Sequence, residues 1–164
     1  MFPLEIHTQA RLLIDEARER SLRLVTAESC TGGLVAGAIC NIAGASDVFE
    51  RGFVTYTNRA KSEMLGVPGD LIADHGAVSE VVARMMAEGA LQHSNGHVAV
   101  AITGVAGPGG GSPLKPVGTV HFAVARANRS VVHRHELFDD VDGREGVQLA
   151  AVRVALELLR GAVL

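Results

Sequence analysis

The sequence predicts an α/β fold: one domain over residues 1–164, in three α/β/α layers around a mixed, mostly parallel sheet that includes an antiparallel hairpin. Three observations carry this. Strand-like and helix-like segments alternate along the chain, which places helices on both faces of a sheet. His97 to Thr103 is nearly continuous apolar sequence, the pattern of a strand covered on both faces. Val117 to Ala125 and Ser130 to Phe138 are strand-like runs joined by the short turn Arg126 to Arg129, which predicts the hairpin. A chain of 164 residues with 48% hydrophobic content, no Trp and one Tyr is the size of one ordinary domain with a core of Val, Ala, Leu and Ile.

In chain order, the spacing of Leu12, Leu13 and Ala17 predicts an amphipathic helix from about Thr8 to Arg20. Leu22 to Val25 reads as a short buried strand, and Leu34 to Cys40 as a helix of small residues packed closely against it. Phe49 to Thr57 predicts a second strand, and Asn58 to Leu65 a short helix ended by Gly66, followed by a Pro/Gly-containing link. Ser79 is placed to cap a helix with Val81, Val82, Met85, Met86 and Ala90 on one apolar face. After the His97 to Thr103 strand comes a glycine-rich loop, Gly104 to Pro113. Past the hairpin, Asp142 and Glu145 have capping-box spacing before a last helix that turns Val147, Ala151, Val154, Leu158 and Leu159 inward and stops at Gly161. The two glycine-rich loops each follow a buried strand ending in Thr, Thr26 and Thr103. If those strands are parallel neighbours, both loops open at the carboxyl edge of the sheet, where α/β folds bind their ligands.

A formal charge of −3 and the lack of any Lys/Arg run give no electrostatic attraction for nucleic acid or anionic membranes. No apolar run approaches membrane-spanning length, and Met1 to Glu5 lack the basic-then-apolar pattern of a secretion signal, so a cytoplasmic location is expected. Cys30 and Cys40 along one helix would lie about 15 Å apart, too far for a disulfide, and both are expected as thiols.

Thr26-Ala27-Glu28-Ser29-Cys30-Thr31-Gly32-Gly33 puts a hydroxyl and a thiol where a strand turns into a helix. Unpaired N–H groups at a helix start favour an oxyanion or a phosphate, and Gly32 and Gly33 let a ligand approach the backbone. Alone, the run has two readings: Ser29 caps the helix, or Ser29 is a nucleophile. Cys30 is a rival nucleophile, since a helix start lowers a thiol pKa, or else a small buried hydrophobe. Tyr56 and Lys61 add a phenol at a strand end and an amine five residues on. A desolvated lysine of lowered pKa serves as a base for serine, and Tyr56 can relay a proton or hold the amine; the plain alternatives are a solvated lysine and a half-buried aromatic. The Tyr-to-Lys spacing misses the four-residue step of nicotinamide-dependent reductases, and no GxGxxG precedes it. The 104–113 loop lacks the Gly-Lys-Ser/Thr ending of a P-loop, yet its N–H groups can cradle a monophosphate. His133 and His135 share a strand face, His75, His93 and His97 are scattered, and no HExxH or ligand-spaced cluster predicts a metal.

Together, TAESCTGG, the Tyr56 and Lys61 element, GAVSEVVARMMAEGA and AITGVAGPGGGSPLKPVGTV resemble the CinA C-terminal domain family, in the same order across about residues 8 to 160. Stand-alone members of that family act as nicotinamide-nucleotide amidases. The resemblance implies hydrolysis of the carboxamide of nicotinamide mononucleotide (NMN) to nicotinic acid mononucleotide and ammonia, in pyridine nucleotide salvage, without metal or cofactor. It implies Ser29 as nucleophile, Lys61 as base and Tyr56 as third member of the site. Cys30, Thr31, Gly32 and Gly33, with Thr103, Gly104, Gly107, Gly109 and Gly110, are the positions expected to hold substrate, and Arg144 matches an arginine of a Gly-Arg-Glu element that can meet the phosphate. Glu28 is expected to be structural or to orient the lysine; a buried carboxylate near Lys61 would raise its pKa. The resemblance also leans toward a homodimer. The alternative is a non-catalytic nucleotide-binding or regulatory module of the competence and damage-inducible type.

Overall fold

Alternating apolar residues of different size on the central strands set the layers of this protein. On β3 (Val98–Gly104), Val98, Val100 and Ile102 face one side of the sheet while Ala99 and Ala101 face the other. The structure, a computed structural model, describes all 164 residues. The remaining elements are α1 (Leu4–Glu19), β1 (Leu24–Glu28), α2 (Leu34–Cys40), β2 (Phe49–Val54), α3 (Asn58–Leu65), α4 (Gly69–His75), α5 (Glu80–Gln92), β4 (Thr119–Arg126), β5 (Val132–Leu137) and α6 (Gly143–Val163), with a 3₁₀ turn at Ala45–Asp47.

The sheet order is β2-β1-β3-β4-β5. β1 pairs in parallel with β2 and β3, whereas β3 with β4 and β4 with β5 are antiparallel, so four of the five strands run one way. Helices α1, α2 and α6 cover the face carrying the large side chains, around Phe122, Leu156 and Leu159. Helices α3, α4 and α5 cover the other, where Ala27, Ala99, Ala101, Ala123 and Ala125 let α5 lie close. Gly89 of α5 brings α3 closer still: a Cβ there would sit 2.0 Å from the Leu65 carbonyl oxygen. That approach seats α3, and with it Lys61, over the end of β1. No helix is long and apolar enough to cross a membrane.

Several boundaries differ from the sequence reading. Helix α1 starts directly after Pro3, whose ring fixes φ, and its stripe is Ile6, Ala10, Leu13, Ile14 and Ala17; Leu12 falls outside it and is exposed. Strand β1 runs on through Thr26, Ala27 and Glu28 because it has a partner on both sides. The link after Gly66 contains α4, too short to show a periodic pattern. Asp142 makes no side-chain cap. Helix α6 continues past Gly161, a glycine costing roughly 1 kcal/mol in a helix interior, since Val163 is buried and Arg126 Nη1 donates to the carbonyls of Ala162 (2.6 Å) and Val163 (3.2 Å).

Candidate functional site

The order β2-β1-β3 reverses direction at β1, and the ends of all three parallel strands meet at that edge. Thr55 N–H donates to the Glu28 carbonyl (2.8 Å) and Ser29 N–H to the Ile102 carbonyl (2.9 Å), which brings Ser29, Tyr56 and the loop after Thr103 around one opening. A crevice of this kind is where open α/β sheets take ligands. Here it is a cleft of about 310 Å³ lined by Ser29, Cys30, Tyr56, Asn58, Lys61, Ala77, Val78, Thr103 to Gly107, Gly109, Gly110 and Arg144.

Lys61 sits on the buried face of α3 with Leu65, and the helix is started by Thr57, whose hydroxyl accepts from Ala60 N–H at 3.0 Å. The side chain is only 1% exposed, and its amine lies 3.0 Å from Ser29 Oγ. It donates to the carbonyls of Thr55 (3.1 Å) and, at longer range, Tyr56 (3.4 Å). All three partners are neutral. Burial therefore lowers the Lys61 pKa from its ordinary 10.5. With two carbonyls taking two N–H groups, the neutral amine has its lone pair left for the Ser29 hydroxyl, the arrangement a base needs.

Glu28 does not raise the lysine. Its carboxylate accepts from Val35 N–H (2.8 Å) and Ala36 N–H (3.0 Å), filling the start of α2. It is thus Glu28, not Ser29, that caps the helix. Thr31, Gly32 and Gly33 consequently lie outside the cleft: the turn folds back through Gly32 N–H to the Ser29 carbonyl, and Gly33 takes φ +98° to enter α2. Both glycines take positive φ in the chain reversal. The N–H groups of Cys30 and Thr31 donate to no backbone carbonyl. The Cys30 thiol is buried and pushed up to about 12, chiefly by that burial, which disfavours its thiolate form. Its carbonyl accepts from Gln148 Nε2 on α6 (3.0 Å).

The second loop forms the opposite wall. Thr103 Oγ1 donates to the Ala77 carbonyl (2.8 Å), pinning the α4–α5 link beside the cleft. Gly104 packs where a Cβ would be 2.8 Å from the Thr119 carbonyl oxygen. Val105, Ser112 and Gly118 N–H groups bond within the loop region, whereas those of Ala106, Gly107, Gly109, Gly110 and Gly111 have no protein acceptor. Arg144, at the start of α6, donates to the Gly107 carbonyl and to Tyr56 Oη, each at 2.7 Å, and so bridges the mouth. The Tyr56 phenol is thereby turned to Arg144; only its backbone carbonyl meets the amine.

Of the positions singled out from sequence, Ser29, Lys61, Tyr56, Cys30, Thr103, Gly104, Gly107, Gly109, Gly110 and Arg144 share the cleft. Val105 and Ala106 belong to the same loop, whereas Asn58, Ala77 and Val78 were not singled out. Asn58 precedes Lys61 by three residues, the step that puts two helical side chains on one face, so its place was open to inference; Ala77 and Val78 carry no signal. Away from the cleft, His121, His133 and His135 stack on the α5 side of β4 and β5. His121 Nδ1 lies 2.9 Å from His133 Nε2, and His133 Nδ1 lies 3.4 Å from Glu80 Oε1.

A three-layer α/β domain with a serine and a buried, neutral-partnered lysine at the strand edge, faced by a glycine loop with free amides, has the equipment for acyl transfer on a small anionic ligand. The family model of the CinA C-terminal domain matches residues 6–163, and the chain belongs to that family. It is 51% identical over 142 residues to the Escherichia coli (strain K12) nicotinamide-nucleotide amidohydrolase PncC, covering 87% of this chain and 85% of that protein. It is also 48% identical over 145 residues to a CinA-like protein of Syntrophobacter fumaroxidans, covering 88% of this chain. The chain spans only about a third of that longer protein, 34% of its length. Among solved structures, the competence/damage-inducible protein CihA from Agrobacterium tumefaciens superposes with a TM-score of 0.96 at 51% identity, over 99% of this chain and 98% of that one.

Proposed function

We propose that this protein hydrolyses the carboxamide of NMN, releasing ammonia and nicotinic acid mononucleotide. The observation that carries the reading is the 3.0 Å approach of Ser29 Oγ to a buried Lys61 amine with no charged partner. The likeness to a protein named for this activity supports the substrate.

The neutral Lys61 amine takes the Ser29 proton as Oγ bonds to the carboxamide carbon. The oxyanion so formed is met by the Cys30 N–H group. The ammonium of Lys61 returns the proton to the amide nitrogen, the carbon–nitrogen bond breaks and ammonia leaves. Water then attacks the acyl-serine with Lys61 again as base, and the carboxylate product and free Ser29 result. The free amides from Ala106 to Gly111 and the Arg144 guanidinium suit the substrate phosphate. Tyr56, through Arg144, closes the cleft mouth. The reading includes the other expectations of the resemblance: metal- and cofactor-independent chemistry, a place in pyridine nucleotide salvage, a cytoplasmic location and a homodimer.

Incubating the pure protein with NMN and measuring ammonia tests this. Turnover that Ser29→Ala abolishes, with NMN binding and folding retained, is the expected result. Loss in Cys30→Ala with full activity in Ser29→Ala would move the nucleophile to the thiol. Saturable NMN binding by the wild type with no ammonia would return the protein to a nucleotide-binding module.

A further inference from the structure

Glu28 is a buried carboxylate that the hydrolytic cycle leaves without a part. It ends β1, is fully buried, and neighbours Ser29 in sequence. Its oxygens take the amides of Val35 and Ala36 at 2.8 and 3.0 Å. A helix start leaves its first amides unpaired, and the residue that ordinarily caps them with a side chain is here Gly33, which has none. The carboxylate therefore reaches forward seven and eight residues and closes a loop containing Ser29 to Gly33. The same turn is tied by Ser29 N–H to the Ile102 carbonyl (2.9 Å) and by Gln148 to the Cys30 carbonyl (3.0 Å). No cation pairs with Glu28. The two N–H groups and the helix dipole offset its charge instead.

Two consequences follow. The start of α2 is closed to substrate, since its free amides are already bonded to a negative group. The backbone on the strand side of Ser29 is also fixed to the helix on its other side, so the serine side chain has little freedom to leave the amine. Misplacing a reacting group by about 1 Å costs on the order of 10²-fold in rate.

We propose that Glu28 is a positioning residue for the nucleophile: by clasping the first amides of α2 it holds the Ser29–Gly33 turn so that Ser29 Oγ stays against Lys61 Nζ. This rests on Ser29 being the nucleophile of the proposed reaction. A carboxylate so placed has one competing role, to hold the lysine charged, and the test separates the two.

Glu28→Gln keeps the length and one acceptor oxygen but aims an NH₂ at the second amide. Glu28→Asp keeps the charge but is one methylene short of both amides. Ala36→Pro leaves Glu28 intact and removes one of its two partners at a first-turn position where proline is tolerated. For each, ammonia release from NMN is measured against pH, labelling of Ser29 by a fluorophosphonate is timed, and rates are referred to folded protein. The expected result is a fall in kcat of roughly 30- to 100-fold for Glu28→Gln and Glu28→Asp, and a smaller one for Ala36→Pro. KM should change less than about threefold, the acid limb of the profile should stay in place, and labelling should slow in parallel. Wild-type kcat in Glu28→Asp, or an acid limb moved to lower pH in Glu28→Gln with its plateau intact, would overturn the proposal in favour of a charge effect. Unchanged labelling and kcat in the variants would overturn it outright. Should the wild type release no ammonia from NMN, that result bears on the substrate, and the labelling rates still decide whether Glu28 positions Ser29.

Discussion

Replacing Lys61 by methionine keeps a linear side chain of similar volume and removes only the nitrogen. At its ordinary pKa of 10.5 a lysine is free base in about one molecule in 3,000 at pH 7, a handicap of roughly 5 kcal/mol for a base that must act neutral. Burial at 1% exposure, with only Ser29, Thr55 and Tyr56 oxygens as partners, removes part of that handicap by lowering the pKa. The folded protein thus binds fewer protons at this site than the unfolded chain in the window between the folded pKa and 10.5. Its stability at neutral pH carries the cost of the buried amine, and regains it as pH rises through the folded pKa toward 10.5. Lys61→Met ends that cost while leaving the Thr55 and Tyr56 carbonyls without a donor, about 1 kcal/mol each. The two changes oppose one another, so the melting temperature at pH 7 should stay within a few degrees of wild type. Catalysis has no such offset. With no base for Ser29, kcat should fall on the order of 10³-fold, about 4 kcal/mol on the barrier.

The assay is steady-state ammonia release from NMN between about pH 6 and 10, with thermal melts alongside. Wild-type activity should rise with pH along an acid limb centred below 10.5, and Lys61→Met should lose both rate and limb. A Lys61→Met enzyme within tenfold of wild type, or a wild-type profile that falls with pH across this range, would refute the assignment of the amine as base.

Arg144→Ala removes the bridge to Gly107 and Tyr56, and a cation bonded directly to the second loop. KM for NMN should rise about tenfold or more, and the preference for NMN over its dephosphorylated nucleoside should shrink; an unchanged preference would take Arg144 away from the phosphate. His121 is lowered to about 4, first by burial and then by His135, His133 and Lys115, with Glu80 opposing. The unfolded chain therefore binds the extra proton between about pH 6.5 and 4, and stability should drop as pH falls through that window. The full shift corresponds to about 3 kcal/mol, and solvent screening of the partly exposed ring reduces this to roughly 1–2 kcal/mol. His121→Phe should flatten the loss in chemical denaturation between pH 7 and 4; an equally steep loss would assign the acid sensitivity elsewhere.

What the chain reveals before folding, and what it does not, divides along the range of each interaction. The alternation of elements, the doubly buried run of β3 and the helix over Asn58 to Leu65 are local patterns, and each stands where the spacing put it. That Ser29 and Lys61 meet follows from one further step, the parallel pairing of β1 with β2, in which Glu28 aligns with Val54 and so brings the two strand ends level. The lysine itself gave no sign of burial, because a charged residue on a short polar helix reads as solvated until α5 and β1 close over it. Helix α4 is seven residues long, less than two turns, and no periodic signal fits in it. The Gly32-Gly33 pair is ambiguous for a different reason: glycine marks both ligand approach and chain reversal, and here both take positive φ, +56° and +98°, in the turn that enters α2. Glu28 is the sharpest case. A carboxylate next to a nucleophile suggests electrostatics from sequence alone, yet the bonds it makes run to amides seven and eight residues ahead, a distance set by the depth of the turn rather than by any repeat. The charge that looked like a partner for Lys61 is spent on the helix, and this is what leaves the lysine among neutral oxygens with its pKa free to fall.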